Sequence, residues 1–185
     1  MKPPVVIIGI SELGGVFARG FLRLGHPVYP VTRATPMVAV AEELPEPELV
    51  LVAVAEGDLP PRLAALPDTW RGRVGLLQNE LLPIHWAGIP EPTVISVWFE
   101  KKPGADLKVI IPSPVFGPWS ELLAVALETL EIPTRILADS DELLFELVVK
   151  NLYILTTNIA GQDVGGTVGE LWSRHRELAR RVGEE

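Results

Sequence analysis

The chain has 185 residues, 48% apolar and 22% charged, enough for one full core and at most a small appendage. A net charge of −8 argues against a broad nucleic-acid-binding surface, and the absence of cysteine excludes disulfides, thiolate metal sites and cysteine nucleophiles. Met1-Lys2-Pro3-Pro4 carries no signal-peptide pattern, and no run of about 18 residues is free of charge, so the expectation is a soluble, cytoplasmic protein without a membrane span.

Val5–Ile10 is a continuous β-branched run of the kind buried on both faces of a parallel sheet. Leu13, Val16, Phe17, Phe21 and Leu24 follow at helical spacing, and Gly25 closes that helix. Pro27–Val31, Leu49–Ala55 and Arg73–Leu77 read as the next three strands, with a helix over Leu59–Leu66 capped by Asp58. Strand–helix alternation at this spacing predicts a right-handed parallel α/β sheet. Beyond residue 92, Val94–Phe99 and Leu107–Ile111 flank Lys101-Lys102-Pro103-Gly104 and predict an antiparallel hairpin at a sheet edge. Trp119, Leu122, Leu123, Ala126, Leu127 and Leu130 mark a further helix, and Thr134–Leu137 the last strand. Asp139 or Ser140 then caps a long helix reaching about Ala160. Thr167 and Glu170 form a capping box for a final helix through Val182.

Three stretches carry chemistry. Gly9-Ile10-Ser11-Glu12-Leu13-Gly14 lies between the first strand and its helix, with Ser11 where a G-x-G-x-x-G turn has its middle glycine. Gly9 permits the tight turn and Gly14 the close approach of helix to strand, which leaves the helix amino terminus open to a pyrophosphate. Thr32-Arg33 ends the second strand, and no acid occurs between Leu24 and Ala41. An arginine there pairs with a 2′-phosphate, which favours NADP over NAD; a solvated surface arginine is the plainer reading. Gln78-Asn79-Glu80 follows the fourth strand, where polar side chains face the ligand crevice. On the long helix, Asn151 and Asn158 lie about 20° apart on a face shared with Leu144, Leu147, Ile154 and Leu155. Lys150 is at the edge of that face, four residues after Glu146, a spacing that also suits an ordinary ion pair. The three histidines have no metal-ligand spacing, and no hydrolase or zinc-enzyme motif occurs.

These pieces, in this order over residues 4–160, resemble the ketopantoate reductase-like branch of the 6-phosphogluconate dehydrogenase superfamily. The residues that carry the likeness are the glycine turn, Thr32-Arg33, Leu76-Leu77-Gln78-Asn79, the hairpin, and the helix with Lys150, Asn151 and Asn158. The resemblance implies that Asn79 touches the nicotinamide end of the cofactor, that Lys150 donates the proton, and that Asn158 holds substrate. Ile154 stands where the family has a further asparagine, with Asn151 the candidate substitute. The segment after Asp139 is much shorter than the family's helical carboxy-terminal domain.

The expectation is therefore a Rossmann-type, doubly wound, mainly parallel α/β domain over 1–137 and a helical appendage over 138–185. Gly9, Ser11, Glu12, Leu13, Gly14, Thr32, Arg33 and Asn79 are its candidate NADP-binding residues; Lys150, Asn151 and Asn158 are its candidate catalytic ones. The expected activity is NADPH-dependent reduction of a small oxo compound. The rival is a non-catalytic dinucleotide-binding or scaffold protein; the two diverge on whether Lys150 and Asn158 both face a cleft. The final helix carries Leu171, Trp172, Leu178, Ala179 and Val182 as an apolar stripe around His175, which predicts a homodimer through the carboxy-terminal helices.

Overall fold

A computed structural model describes residues 2–78 and 81–184. Each β-branched run of the amino-terminal half becomes a strand: β1 (Val5–Ile8), β2 (Val28–Val31), β3 (Leu49–Val52) and β4 (Val74–Gln78). They alternate with α1 (Glu12–Arg23), α2 (Met37–Glu43) and α3 (Leu59–Ala64). Then come β5 (Thr93–Ser96), β6 (Phe99–Glu100), β7 (Lys108–Val109), β8 (Ser113–Phe116), α4 (Ser120–Glu128) and β9 (Thr134–Ile136). The chain ends with α5 (Ser140–Val164), α6 (Val168–Arg174) and α7 (Arg176–Glu184).

Among the described residues, seven strands form one sheet in the order β2-β1-β3-β4-β5-β8-β9. The first five are parallel; β8 joins antiparallel to β5, and β9 lies parallel to β8. This is the expected doubly wound, mainly parallel Rossmann-type sheet. The chain steps outward from β1 to β2 and returns to the other side for β3, so the order reverses between β1 and β3. Ligands of such sheets bind outside the carboxyl ends of the strands at that reversal.

Strand alternation divides the core into two layers. Val6, Ile8, Val50, Val52, Val74, Leu76 and Val94 pack under α2, α3 and the amino half of α5, through Met37, Leu59, Leu63, Leu143 and Leu147. Val5, Ile7, Leu49, Leu51 and Ile95 pack on the other face under α1 and α4, through Phe17, Phe21, Leu123 and Leu127. There α1 and α4 meet backbone to backbone: a Cβ on Gly20 would lie 2.5 Å from the Ala126 carbonyl oxygen.

Besides α2, which was not foreseen, four details depart from the sequence-based expectation. The hairpin forms and is antiparallel, but its paired parts, β6 and β7, stand as a two-stranded sheet of their own. β8, which brings the antiparallel direction into the main sheet, was not foreseen, because Ser113-Pro114 reads as a breaker. Asp139 caps α5 as expected, accepting from the Asp141 and Glu142 amides, whereas Asp58 makes no side-chain cap to α3. The Thr167–Glu170 capping box forms, but the final helix breaks at His175 into α6 and α7. That break folds the predicted dimer stripe back on its own chain. Leu171 and Ala179 are buried against Ala160 of α5, with Leu178 and Val182 packed alongside, and only Trp172 stays exposed.

Candidate functional site

The carboxyl end of β1 runs into the glycine turn. Gly9 sits at φ +92°, in the left-handed region that favours glycine, and its amide donates to the Val31 carbonyl of β2 at 2.9 Å. A Cβ there would lie 2.6 Å from the Ala53 carbonyl oxygen, and one on Gly14 would strike the Gly9 carbonyl. The turn therefore brings β1, β3 and α1 together with no room for side chains. Ser11 is the N-cap of α1 in extended conformation, yet its hydroxyl takes none of the helix's amides. The first-turn N–H groups are left for an anion, where the helix dipole adds to their pull.

A cleft of about 350 Å³ opens at this point, at the carboxyl ends of β1, β2 and β3. Gly9, Ile10 and Ser11 line it from β1, Thr32 and Arg33 from β2, and Ala53–Ala55 from β3, with Asp58 and Arg62 beyond. Thr32 organises the turn after β2: its amide and hydroxyl both bond the Thr35 hydroxyl, at 3.1 and 2.9 Å. Arg33 is 86% exposed and pairs with Asp58, itself 48% exposed, at 3.2 Å, a contact of little strength at such exposure. Sequence reasoning found Arg33 and missed Arg62, which lies in the last turn of α3, one helical turn beyond Asp58. Leu13 packs on the core, so it offers the cleft only its backbone. Glu12 sits in the first turn of α1 with its carboxylate 4.0 Å from the Lys101 ammonium, which reaches over from the hairpin.

A second group of polar side chains lies farther along the same edge. Gln78 ends β4 and Ser96 ends β5, and the two are partners in the parallel register. Alternation from Leu76 and Val94 places both on the face that α5 covers. Gln78 Oε1, Ser96 Oγ and Trp98 Nε1 are all buried and have no hydrogen-bond partner among the described residues. Buried polar atoms without partners are uncommon, and two of these three sit side by side at the ends of adjacent strands.

Lys150 reaches Val97 and Trp98 from α5. It is only 5% exposed, donates to the Val97 carbonyl at 2.5 Å, and holds its ammonium 3.9 Å from the centroid of the Trp98 ring, which in turn packs on Tyr153. Burial lowers the Lys150 pKa from its ordinary 10.5 to about 8, against the opposing pull of the Glu100 carboxylate. The ion pair with Glu146 that the spacing allowed does not form; Glu146 bonds Arg135 instead.

The three candidate catalytic residues are not gathered equally. Lys150 is buried, Asn151 is half-buried, and Asn158, two turns on, is exposed. Asn79 lies outside the described residues. Ser96 and Trp98 were missed in the sequence, where their alternation at the end of a strand was the available signal. The described residues contain no cluster of side chains suited to a metal ion.

No protein-family model matches the chain, and no curated protein matches it. Solved structures do. The 2-dehydropantoate 2-reductase of Methylococcus capsulatus aligns with a TM-score of 0.69 at 16% identity, over 97% of this chain and 72% of that one. D-Mandelate dehydrogenase in complex with NADH aligns at 0.67 and 17% identity, over 98% and 70%. A dimeric ketopantoate reductase from Staphylococcus aureus aligns at 0.65 and 17% identity, again over 98% and 70%. The structural neighbours are thus ketopantoate reductases and related dehydrogenases, and at this identity the likeness establishes the fold.

Proposed function

We propose that this chain is an NADPH-dependent oxidoreductase that reduces a small oxo compound, with residues 1–137 as the dinucleotide-binding domain and 138–185 as a helical appendage. One observation carries the reading: a buried lysine with a lowered pKa reaches Val97 and the Trp98 ring just past the end of β5, on the sheet that also bears the glycine-turn cleft. The named activities of the structural neighbours support it.

The turn from Gly9 to Gly14 fits a pyrophosphate, because added side chains would collide with backbone there. In this reading Arg33 and Arg62, which line the cleft, meet a 2′-phosphate, and Asn79 is assigned to the nicotinamide end. A nicotinamide bound there supplies hydride chemistry. The protein's own part is acid catalysis: the Lys150 ammonium gives one N–H proton to the oxygen of the carbonyl that is being reduced and is left as the neutral amine. Asn151 and Asn158 are assigned to hold the substrate. In the same reading the protein is soluble and cytoplasmic, without nucleic-acid partners, and a homodimer through its carboxy-terminal helices.

The exposure of Asn158 favours a second reading, a non-catalytic dinucleotide-binding protein. Fluorescence titration with NADPH and NADH, followed by single turnover against a panel of 2-oxo acids, separates the two. Binding without turnover supports the second reading; no binding of either nucleotide overturns both.

Cofactor choice has its own test. Arg33→Ala is expected to weaken NADPH about tenfold or more and leave NADH nearly unchanged, the effect of one charge-assisted phosphate contact. Titration of both nucleotides checks it, and equal losses would remove Arg33 from the 2′-phosphate site.

A further inference from the structure

α5 carries apolar side chains both on the face it turns to the sheet and on part of its outer face. Its inner face meets the sheet through Leu143, Leu147 and Lys150, and its carboxyl half meets α6 and α7 through Ala160. Its outer face nevertheless presents Leu144, Phe145, Val148, Val149, Leu152, Leu155 and Ile159, each between 38% and 65% exposed. The chain covers them only in part; α7 reaches the edge of this face, with Gly183 beside Leu152. A contiguous exposed apolar patch of this kind is normally an interaction surface.

Phe145, Val148, Leu152, Leu155 and Ile159 follow one another at steps of 3, 4, 3 and 4 residues. That is the spacing of a seam that packs against another helix, knobs into holes. The step pattern is nearly symmetric about Leu152. Two copies laid antiparallel would set Leu152 against Leu152, Val148 against Leu155, and Phe145 against Ile159.

Charge selects the same arrangement. Residues 139–146 carry Asp139, Asp141, Glu142 and Glu146 and no base, and although Arg135 pairs with Glu142 and Glu146 this end keeps a negative balance; residues 174–181 carry four arginines and one glutamate. α7 runs back along the carboxyl half of α5, with Gly183 beside Thr156 and Ala179 packed with Ala160. An antiparallel pair therefore brings the arginine-bearing end of each copy to the acidic end of the other. The seven side chains expose roughly 600 Å² of apolar surface per copy, at the upper end of what a monomer shows in one patch and not far below one side of a standard interface.

We infer that the outer face of α5 is the contact between two antiparallel copies of this chain, crossing near Leu152. This deepens the homodimer reading above, rests on it, and moves the contact from the final helix to α5. A lipid surface is the competing occupant, since α5 is long and apolar enough to cross a membrane. It fits less well: one side of α5 is fixed to the sheet, and the neighbouring acids repel anionic lipid.

The full chain contains no cysteine, so a single introduced one reports cleanly. Sedimentation at micromolar concentration is expected to give twice 20.2 kDa. Leu152→Glu should give the monomer mass with unchanged circular dichroism and unchanged nucleotide titration. Leu152→Cys should form a disulfide-linked dimer under air oxidation, whereas Ile84→Cys, more exposed but outside α5, should not. A wild-type monomer, a dimer indifferent to Leu152→Glu, or a monomer that floats with phosphatidylglycerol–phosphatidylcholine vesicles would each overturn the inference. Nucleotide binding is measured separately, so loss of the oxidoreductase reading leaves this result standing, and the reverse.

Discussion

Gly9→Val is expected to reduce dinucleotide affinity by at least about a hundredfold, the equivalent of about 2.7 kcal/mol. Valine is β-branched and is strained at φ +92°, and its Cβ would sit 2.6 Å from the Ala53 carbonyl oxygen. The turn must open to admit it, and the path of the backbone past the pyrophosphate opens with it. That same clash weakens β1–β3 pairing, so a second variant is needed to separate binding from folding. Ser11→Asp does so. Aspartate is a favoured N-cap, and its charge suits the amino end of α1, so the helix is kept or strengthened. The carboxylate then occupies the place of the anion. Titration with NADPH should show both variants failing to bind, with Ser11→Asp at least as heat-stable as the parent. A Ser11→Asp protein that binds normally would place the nucleotide elsewhere.

Lys150→Met is expected to lower kcat about 10²–10⁴-fold, the range for removal of a general acid, with nucleotide affinity almost unchanged. Methionine keeps most of the volume beneath Trp98, although the Val97 carbonyl loses its donor, a loss of about 1–3 kcal/mol of stability. The pH dependence is the sharper readout. A proton donor with a pKa of about 8 is charged below that value, so the reduction rate should hold at neutral pH and fall as pH rises through about 8. Stability moves the other way. Between about 8 and 10.5 the unfolded chain holds the Lys150 proton and the folded one has released it, so stability rises with pH across that window and levels off below it. Lys150→Met should abolish both dependences. A rate within about threefold of the parent, with the pH profile retained, would return Lys150 to a packing role.

Much of the sheet was legible in the sequence because buried parallel strands leave an unbroken β-branched signature. Val5–Ile8, Leu49–Val52 and Val74–Gln78 lie within or almost within the expected runs. β8 was not legible: a proline inside a strand removes a ladder donor and speaks locally for a turn, and only its neighbours β5 and β9 recruit it. α2 was missed for a similar reason, since its Pro36 N-cap makes no side-chain bond and its seven residues carry little periodicity. The glycine turn could be read because its requirement is local. The surroundings of Lys150 could not, because Val97 and Trp98 come from a strand end 52 or more residues away. The break at His175 likewise depends on the surface α5 offers to α6 and α7, and it turned an apparent intermolecular stripe into an internal contact.

The contact of Gly20 with Ala126 bears on how this protein tolerates mutational drift. Two helices that touch through their backbones have no slack between them, so even a methyl at position 20 must lift α1 from α4. α1 is a rod of 12 residues with its open amide groups at the far end. A lift near its carboxyl end becomes a tilt of those amides relative to Gly9. Variation at position 20 would then be selected first through cofactor affinity, and only later through loss of the folded state, although residue 20 lies more than two helical turns from the anion site.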